Sequence, residues 1–104
     1  GLFGGAGANR TELYISYADP LGRDPFDIVR LLSAELEAQG IAHSYAGHIS
    51  VSDGAARWRV QPSLDGDVIE GWVEAADPDD RRQVVEGLKD FLEGRLSLAL
   101  EGAR

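Results

Sequence analysis

The chain has 104 residues, with ten basic against eighteen acidic side chains, a formal net charge of −8 and no cysteine. That length supports one modest core but not two, and the missing cysteines exclude a disulfide framework and thiolate zinc sites. The acidic balance argues against nucleic acid or an anionic membrane as partner, and no apolar run approaches the roughly 20 residues that span a bilayer.

Nine of the ten basic residues are arginine, and with abundant alanine and glycine a GC-rich bacterial origin is expected. No basic region followed by an apolar block opens the chain, so a cytoplasmic location is expected. Residues 1–10 are glycine-rich and without periodicity and are expected to form a flexible tail, leaving 11–104 as a single domain.

Residues 11–18 alternate, with Leu13, Ile15 and Tyr17 on one face and Glu12, Tyr14 and Ser16 on the other, as in a half-buried strand. Asp19-Pro20-Leu21-Gly22 supplies a turn. Asp24 then offers a capping carboxylate, Pro25 occupies the first helical position and Asp27 adds first-turn charge. Ile28, Val29, Leu32 and Leu36 recur at helical spacing and Gly40 supplies a stop, which predicts a helix over 25–39.

Residues 45–76 carry two Asp-Gly turn signals, Asp53-Gly54 and Asp65-Gly66, separating three runs with a period of two. This pattern predicts a three-stranded antiparallel meander. Asp77-Pro78-Asp79-Asp80 repeats the helix-starting grammar, and Val84, Val85, Leu88, Phe91 and Leu92 form the stripe of a second helix. Gly87 inside that helix costs about 1 kcal/mol against alanine, so close packing against the sheet or first helix is expected there, with Gly94 as the end. Residues 95–101 alternate Leu96, Leu98 and Leu100 like a strand but are also good helix formers, and both readings stay open. They are a second candidate contact, by strand addition or helix docking. The fold class is α+β: a two-layer sandwich of order β-α-β-β-β-α plus the ambiguous apolar segment, with a mostly antiparallel sheet and both helices on one face.

Two-residue turns at the Asp-Gly pairs set the register. The first pairs Ile49 with Trp58 and Gly47 with Val60; the second pairs Pro62 with Ile69, Val60 with Gly71 and Trp58 with Val73. Both put the apolar set on one face, with Ile49, Trp58 and Val73 at the centre of the core. The two glycines opposite Val60 are expected to let a helix approach closely. The other face then carries Ser50–Arg57–Glu74, His48–Arg59–Trp72 and Ala46–Gln61–Glu70 as rows. Arg57 opposite Glu74 is a cross-strand ion pair, and Arg59 beside Trp72 is placed for cation–π stacking.

No phosphate-binding glycine loop, serine elbow or cysteine nucleophile is present. His43 and His48 fall on opposite faces of a continuous strand, which argues against a shared metal. Glu70 and Glu74 stand about 13 Å apart along a strand, too far for a catalytic carboxylate pair. No catalytic residue, metal or cofactor is expected. Trp72 is the exception to an ordinary solvated face, because a large aromatic on the water side of a sheet marks an interaction surface. The chain is therefore expected to be a non-catalytic protein–protein interaction or regulatory domain. Its contact surface would be His48, Arg57, Arg59, Glu70, Trp72 and Glu74, used in a homodimer or against another protein. The alternative is a small-molecule or enzymatic domain in which His48, Arg59 and Trp72 contact an anionic or flat ligand.

The run LYISYADPLGRD from Leu13 to Asp24, with the helix after it and Gly40-Ile41, resembles the opening of TIR domains, which implies a parallel α/β sheet. The meander that follows departs from that order. The succession helix, three strands, helix is similar to double-stranded RNA-binding domains, but Asp77, Pro78, Asp79 and Asp80 stand where that family presents lysines, so its function does not transfer.

Overall fold

A computed structural model describes residues 11–104; the expected tail at 1–10 lies outside them. Strand β1 (Thr11–Ala18) leads into helix α1 (Pro25–Ala38), and strands β2 (Ser44–Tyr45), β3 (Ile49–Ser52), β4 (Ala56–Pro62) and β5 (Val68–Ala75) follow. Helix α2 (Pro78–Lys89) widens into a π-helical segment (Asp90–Arg95) before strand β6 (Ala99–Ala103). All six strands join one sheet of order β2-β3-β4-β5-β1-β6, antiparallel at every pairing. The fold is an α+β two-layer sandwich, and among the described residues every pairing is antiparallel, unlike the parallel sheet implied by the TIR resemblance.

Both helices start as their sequences dictate. The Asp24 carboxylate accepts from the Phe26 amide at 2.9 Å and that of Asp77 from the Asp79 amide at 2.9 Å, satisfying backbone donors that lack helical partners. Helix α1 ends in a Schellman motif: the Ile41 amide donates to the Leu36 carbonyl at 2.9 Å and the Gly40 amide to Glu37 at 3.0 Å. The motif needs a left-handed residue, and Gly40 supplies it at φ 72°. Ile28, Val29, Leu32 and Leu36 of α1 and Leu88, Phe91 and Leu92 after β5 bury against Ile15, Tyr17, Ile49, Val60, Ile69 and Val73 of the sheet.

Several expectations change. The β4–β5 register is as predicted, but β3 lies two residues further along β4, with Ile49 opposite Val60 and Val51 opposite Trp58. Asp53 is the cause. Its carboxylate accepts from the amides of Ala55 (3.1 Å) and Ala56 (2.9 Å), and its own amide donates to the Ala56 carbonyl at 3.2 Å. The turn residues are therefore Gly54-Ala55, with Gly54 at φ 87° in the position a type II′ turn reserves for glycine. A shift of two residues keeps every side chain on its face. It moves Trp58 from the core centre to its margin, where the indole is only partly buried.

The first run of the meander is also broken. Gly47 adopts φ 76°, the Ala46 amide donates to the His48 carbonyl at 3.0 Å, and β2 folds back on β3. Gly47 is therefore not opposite Val60. Gly71 is, but the space beside it belongs to Ile15 of the neighbouring strand, 3.1 Å from where a Cβ would sit, rather than to a helix.

The C-terminal segment resolves into both open readings in turn. Helical backbone runs through Gly94 to Arg95, the Leu96 amide donates to Phe91 at 3.0 Å, and Ser97 turns the chain at φ 62°. Leu98 is buried, whereas Leu100 on β6 is 44% exposed. Arg23 anchors this corner: its guanidinium bonds the Asp19 carboxylate at 2.7 Å and also the Leu96 carbonyl. Across it the Tyr17 hydroxyl donates to Glu93 at 2.6 Å.

Gly87 has nothing within 4 Å of a built Cβ, so the expected close packing is not its reason. Gly87→Ala should therefore stabilise the fold by about 0.5–1 kcal/mol, read as a higher urea midpoint at unchanged slope; a lower midpoint would contradict the open space. Asp19 is held below the usual carboxylate range, first by its hydrogen bond from Arg23 and then by the Leu21 and Arg23 amides. Folding thus favours its ionised form, and its contribution is present above the ordinary aspartate range and lost as pH falls through the lowered value. Asp19→Asn should cost about 1 kcal/mol at pH 7 and flatten the acid limb of the stability–pH curve. An unchanged acid limb would show that Asp19 is not involved.

Candidate functional site

Because Ile15, Val60, Ile69 and Val73 point into the helix layer, the residues alternating with them point away from it. The paired strands arrange these outward residues in rows. One runs Ser44, Ser50, Arg59, Trp72, Tyr14, and Arg104 continues it through paired backbone bonds to Tyr14 of 2.7 and 2.8 Å. The next runs Ser52, Arg57, Glu74, Glu12, and a third contains Gln61, Glu70, Ser16 and Gly102.

Arg57 and Glu74 form the expected pair, Nε to Oε1 3.0 Å, with a second guanidinium nitrogen on the same oxygen. Trp72 is 40% exposed. Its ring packs on Tyr14, centroids 5.6 Å apart and planes tilted by 59°, and the Arg104 guanidinium lies over the Tyr14 ring at 5.1 Å. The stack on this face is thus Trp72–Tyr14–Arg104. Among the described residues the Arg59 side chain makes no hydrogen bond, ion pair or ring contact, so the expected Arg59–Trp72 cation–π contact is not formed. The Tyr14 hydroxyl is pushed above its ordinary pKa, mainly by lost hydration and then by the Glu70 carboxylate, with Arg104 opposing.

His48 does not join Arg59 and Trp72. It lies in the bend before β3, and the two-residue shift puts Ser50 opposite Arg59 instead. The histidine nearest this surface is His43, which with Ser44, Ser50, Arg57, Arg59 and Trp72 lines a broad open depression of about 610 Å³. Its Nδ1 is 2.9 Å from the Ile41 carbonyl and its Nε2 2.8 Å from the Ser33 hydroxyl. A carbonyl only accepts, so Nδ1 carries the proton and Nε2 accepts from Ser33. Nε2 ties the chain before β2 to Ser33 of α1 and Nδ1 bonds the loop just before it, so both nitrogens are engaged. Among the described residues no three His, Cys, Asp or Glu side chains gather as a metal site.

Five of the six expected contact residues therefore share one face that no helix covers among the described residues, with His48 off their rows. Tyr14 and Arg104 were not foreseen on it. Tyr14 was on the polar side of its strand by alternation, but only the strand order puts β1 beside β5. Arg104 depends on β6, which local patterning left undecided. No family model, curated protein or solved structure matches the chain.

The Arg57–Glu74 pair is solvent-facing, its side chains 59% and 23% exposed, and such pairs couple weakly. A double-mutant cycle with Arg57→Ala and Glu74→Ala, run in dilute protein by urea denaturation, should give a coupling of at most about 1 kcal/mol. A coupling of twice that would mean the pair is shielded from water.

Proposed function

We propose that this chain is a protein-contact domain that holds a second protein against the sheet face its helices leave bare, and that it carries out no reaction there. The observation behind this reading is Trp72, a part-exposed indole in the middle of a sheet face that no helix covers among the described residues, its ring packed on Tyr14. Its remaining area is worth most when a partner removes it from water, and aromatic anchors of this kind dominate interface energetics. Arg57, Arg59, Glu70 and Glu74 surround it with groups able to set orientation and exclude wrong partners. The small-ligand alternative is weakened by the site itself. Its base, His48, is off the row, and the depression is open on the side where a pocket would need to enclose a ligand.

A photoreactive phenylalanine analogue placed at position 72 in expressing cells should give an adduct of protein mass on irradiation. The same analogue at Leu64, fully exposed on the β4–β5 loop, should not. No adduct at position 72, or equal adducts at both positions, would refute the contact role.

A further inference from the structure

On the other layer, both helices pack on the sheet rather than closely on one another, and a crevice of about 280 Å³ lies between them. Leu36 of α1 and Val84 and Leu88 of α2 form its apolar walls, and Val51 and Trp58 its floor. The partly buried indole that the two-residue shift moved to the margin of the core thus borders this space. Gly87 stands on one wall, and a Cβ built there meets nothing within 4 Å. An interior glycine weakens a helix, and packing gives no reason for this one. The space its side chain would take is the crevice itself.

The rim carries charge of one sign. Glu35 and Asp53 line the crevice with Gln39 and Gln83, and among the described residues no lysine or arginine does. The Glu35 carboxylate is already answered, by Arg95 and by Gln39, each at 2.6 Å. Asp53 is not. It accepts from the neutral amides of Ala55 and Ala56, and among the described residues no cation pairs with it. Standing two residues beyond Val51, it lies on the helix side of the sheet by alternation.

We propose that this crevice is a binding site for a small apolar amine, its hydrocarbon body lying between the helices on Val51 and Trp58 and its ammonium group at Asp53. Burial of the body supplies the affinity, and the unanswered carboxylate selects the sign of the head group. An apolar cavity of about 150 Å³ admits a benzene ring, so this one has room for a ring and a short chain, about ten non-hydrogen atoms. A ligand of that size in a crevice open to water binds weakly, with a Kd on the order of 0.1 mM. Asp53 is exposed, so its charge adds about three- to fivefold rather than orders of magnitude. The site is on the opposite side of the sheet from Trp72 and does not depend on the contact role proposed there.

The two tryptophans report on the two sides of the sheet separately. In nitrogen–proton correlation spectra, titration with phenethylammonium should move the indole N–H signal of Trp58 saturably and leave that of Trp72 in place. Phenethyl alcohol, of the same shape without the charge, should bind about three- to fivefold more weakly, and phenylpropionate more weakly still. Gly87→Leu puts a good helix former into the crevice. Checked for folding by urea denaturation, it should weaken the amine about tenfold or more, since the body loses its burial. Asp53→Asn keeps an oxygen for the Ala55 and Ala56 amides and should reduce the amine to the affinity of the alcohol. No saturable movement of Trp58, a carboxylate or alcohol that binds as well as the amine, or an amine indifferent to either substitution overturns the proposal. Should Gly87→Leu not fold, the three ligands on the unaltered chain and Asp53→Asn decide it. None of these outcomes bears on the photoadduct at position 72, so the two readings fail independently.

Discussion

Ile49, Val73, Val29 and Leu92 are sealed between the sheet and the helices, and the two-residue period of a strand forces the neighbours of Ile49 and Val73 to the opposite side. Both faces follow from that coupling. A strand cannot turn Val60 inward without turning Arg59 and Gln61 outward, nor bury Gly71 and Val73 without presenting Trp72. Each buried aliphatic side chain is worth about 1.5–3 kcal/mol, so a one-residue slip along any central strand would exchange core for surface at prohibitive cost. A two-residue slip costs far less, since parity survives. The pairing of β3 with β4 uses that freedom: Asp53 gathers the amides of Ala55 and Ala56 and sets the turn one step away from its Asp-Gly signal.

The second structural dependence is at the C-terminal corner. The helical segment after Lys89 reaches Arg95, and Ser97 then reverses the chain to lay β6 against β1. Arg23 clamps this reversal by bonding both Asp19 and the Leu96 carbonyl, while the buried Tyr17 reaches Glu93. The Arg23–Leu96 and Tyr17–Glu93 bonds join segments more than seventy residues apart. Their consequence for the outer face is direct, because β6 delivers Arg104 onto the ring of Tyr14, and Tyr14 supports Trp72.

The outer face is accordingly an open surface built on paired strands. Its side chains rise from paired strands, its central aromatic is braced from one side, and the adjoining histidine is fixed by Ser33 and the Ile41 carbonyl. The contact role proposed for this face rests on that arrangement, in which shape and charge pattern act over a broad area.

Local physics was enough to read both helix starts from Asp24-Pro25 and Asp77-Pro78, the β4–β5 register from residues close in sequence, and the facing of Arg57, Arg59, Glu70, Trp72 and Glu74 from alternation alone. Each of these depends on neighbours within a few residues or across one short loop. The tertiary structure decided what no local pattern encodes. A single carboxylate, Asp53, chose between two turns of equal parity and so replaced His48 by Ser50 beside Arg59. A left-handed Gly47 broke the first strand of the meander. The insertion of β1 between β5 and β6, a pairing across most of the chain, brought Tyr14 and Arg104 to Trp72. Alternation tells which way a side chain faces, but only the order of the strands determines what stands beside it.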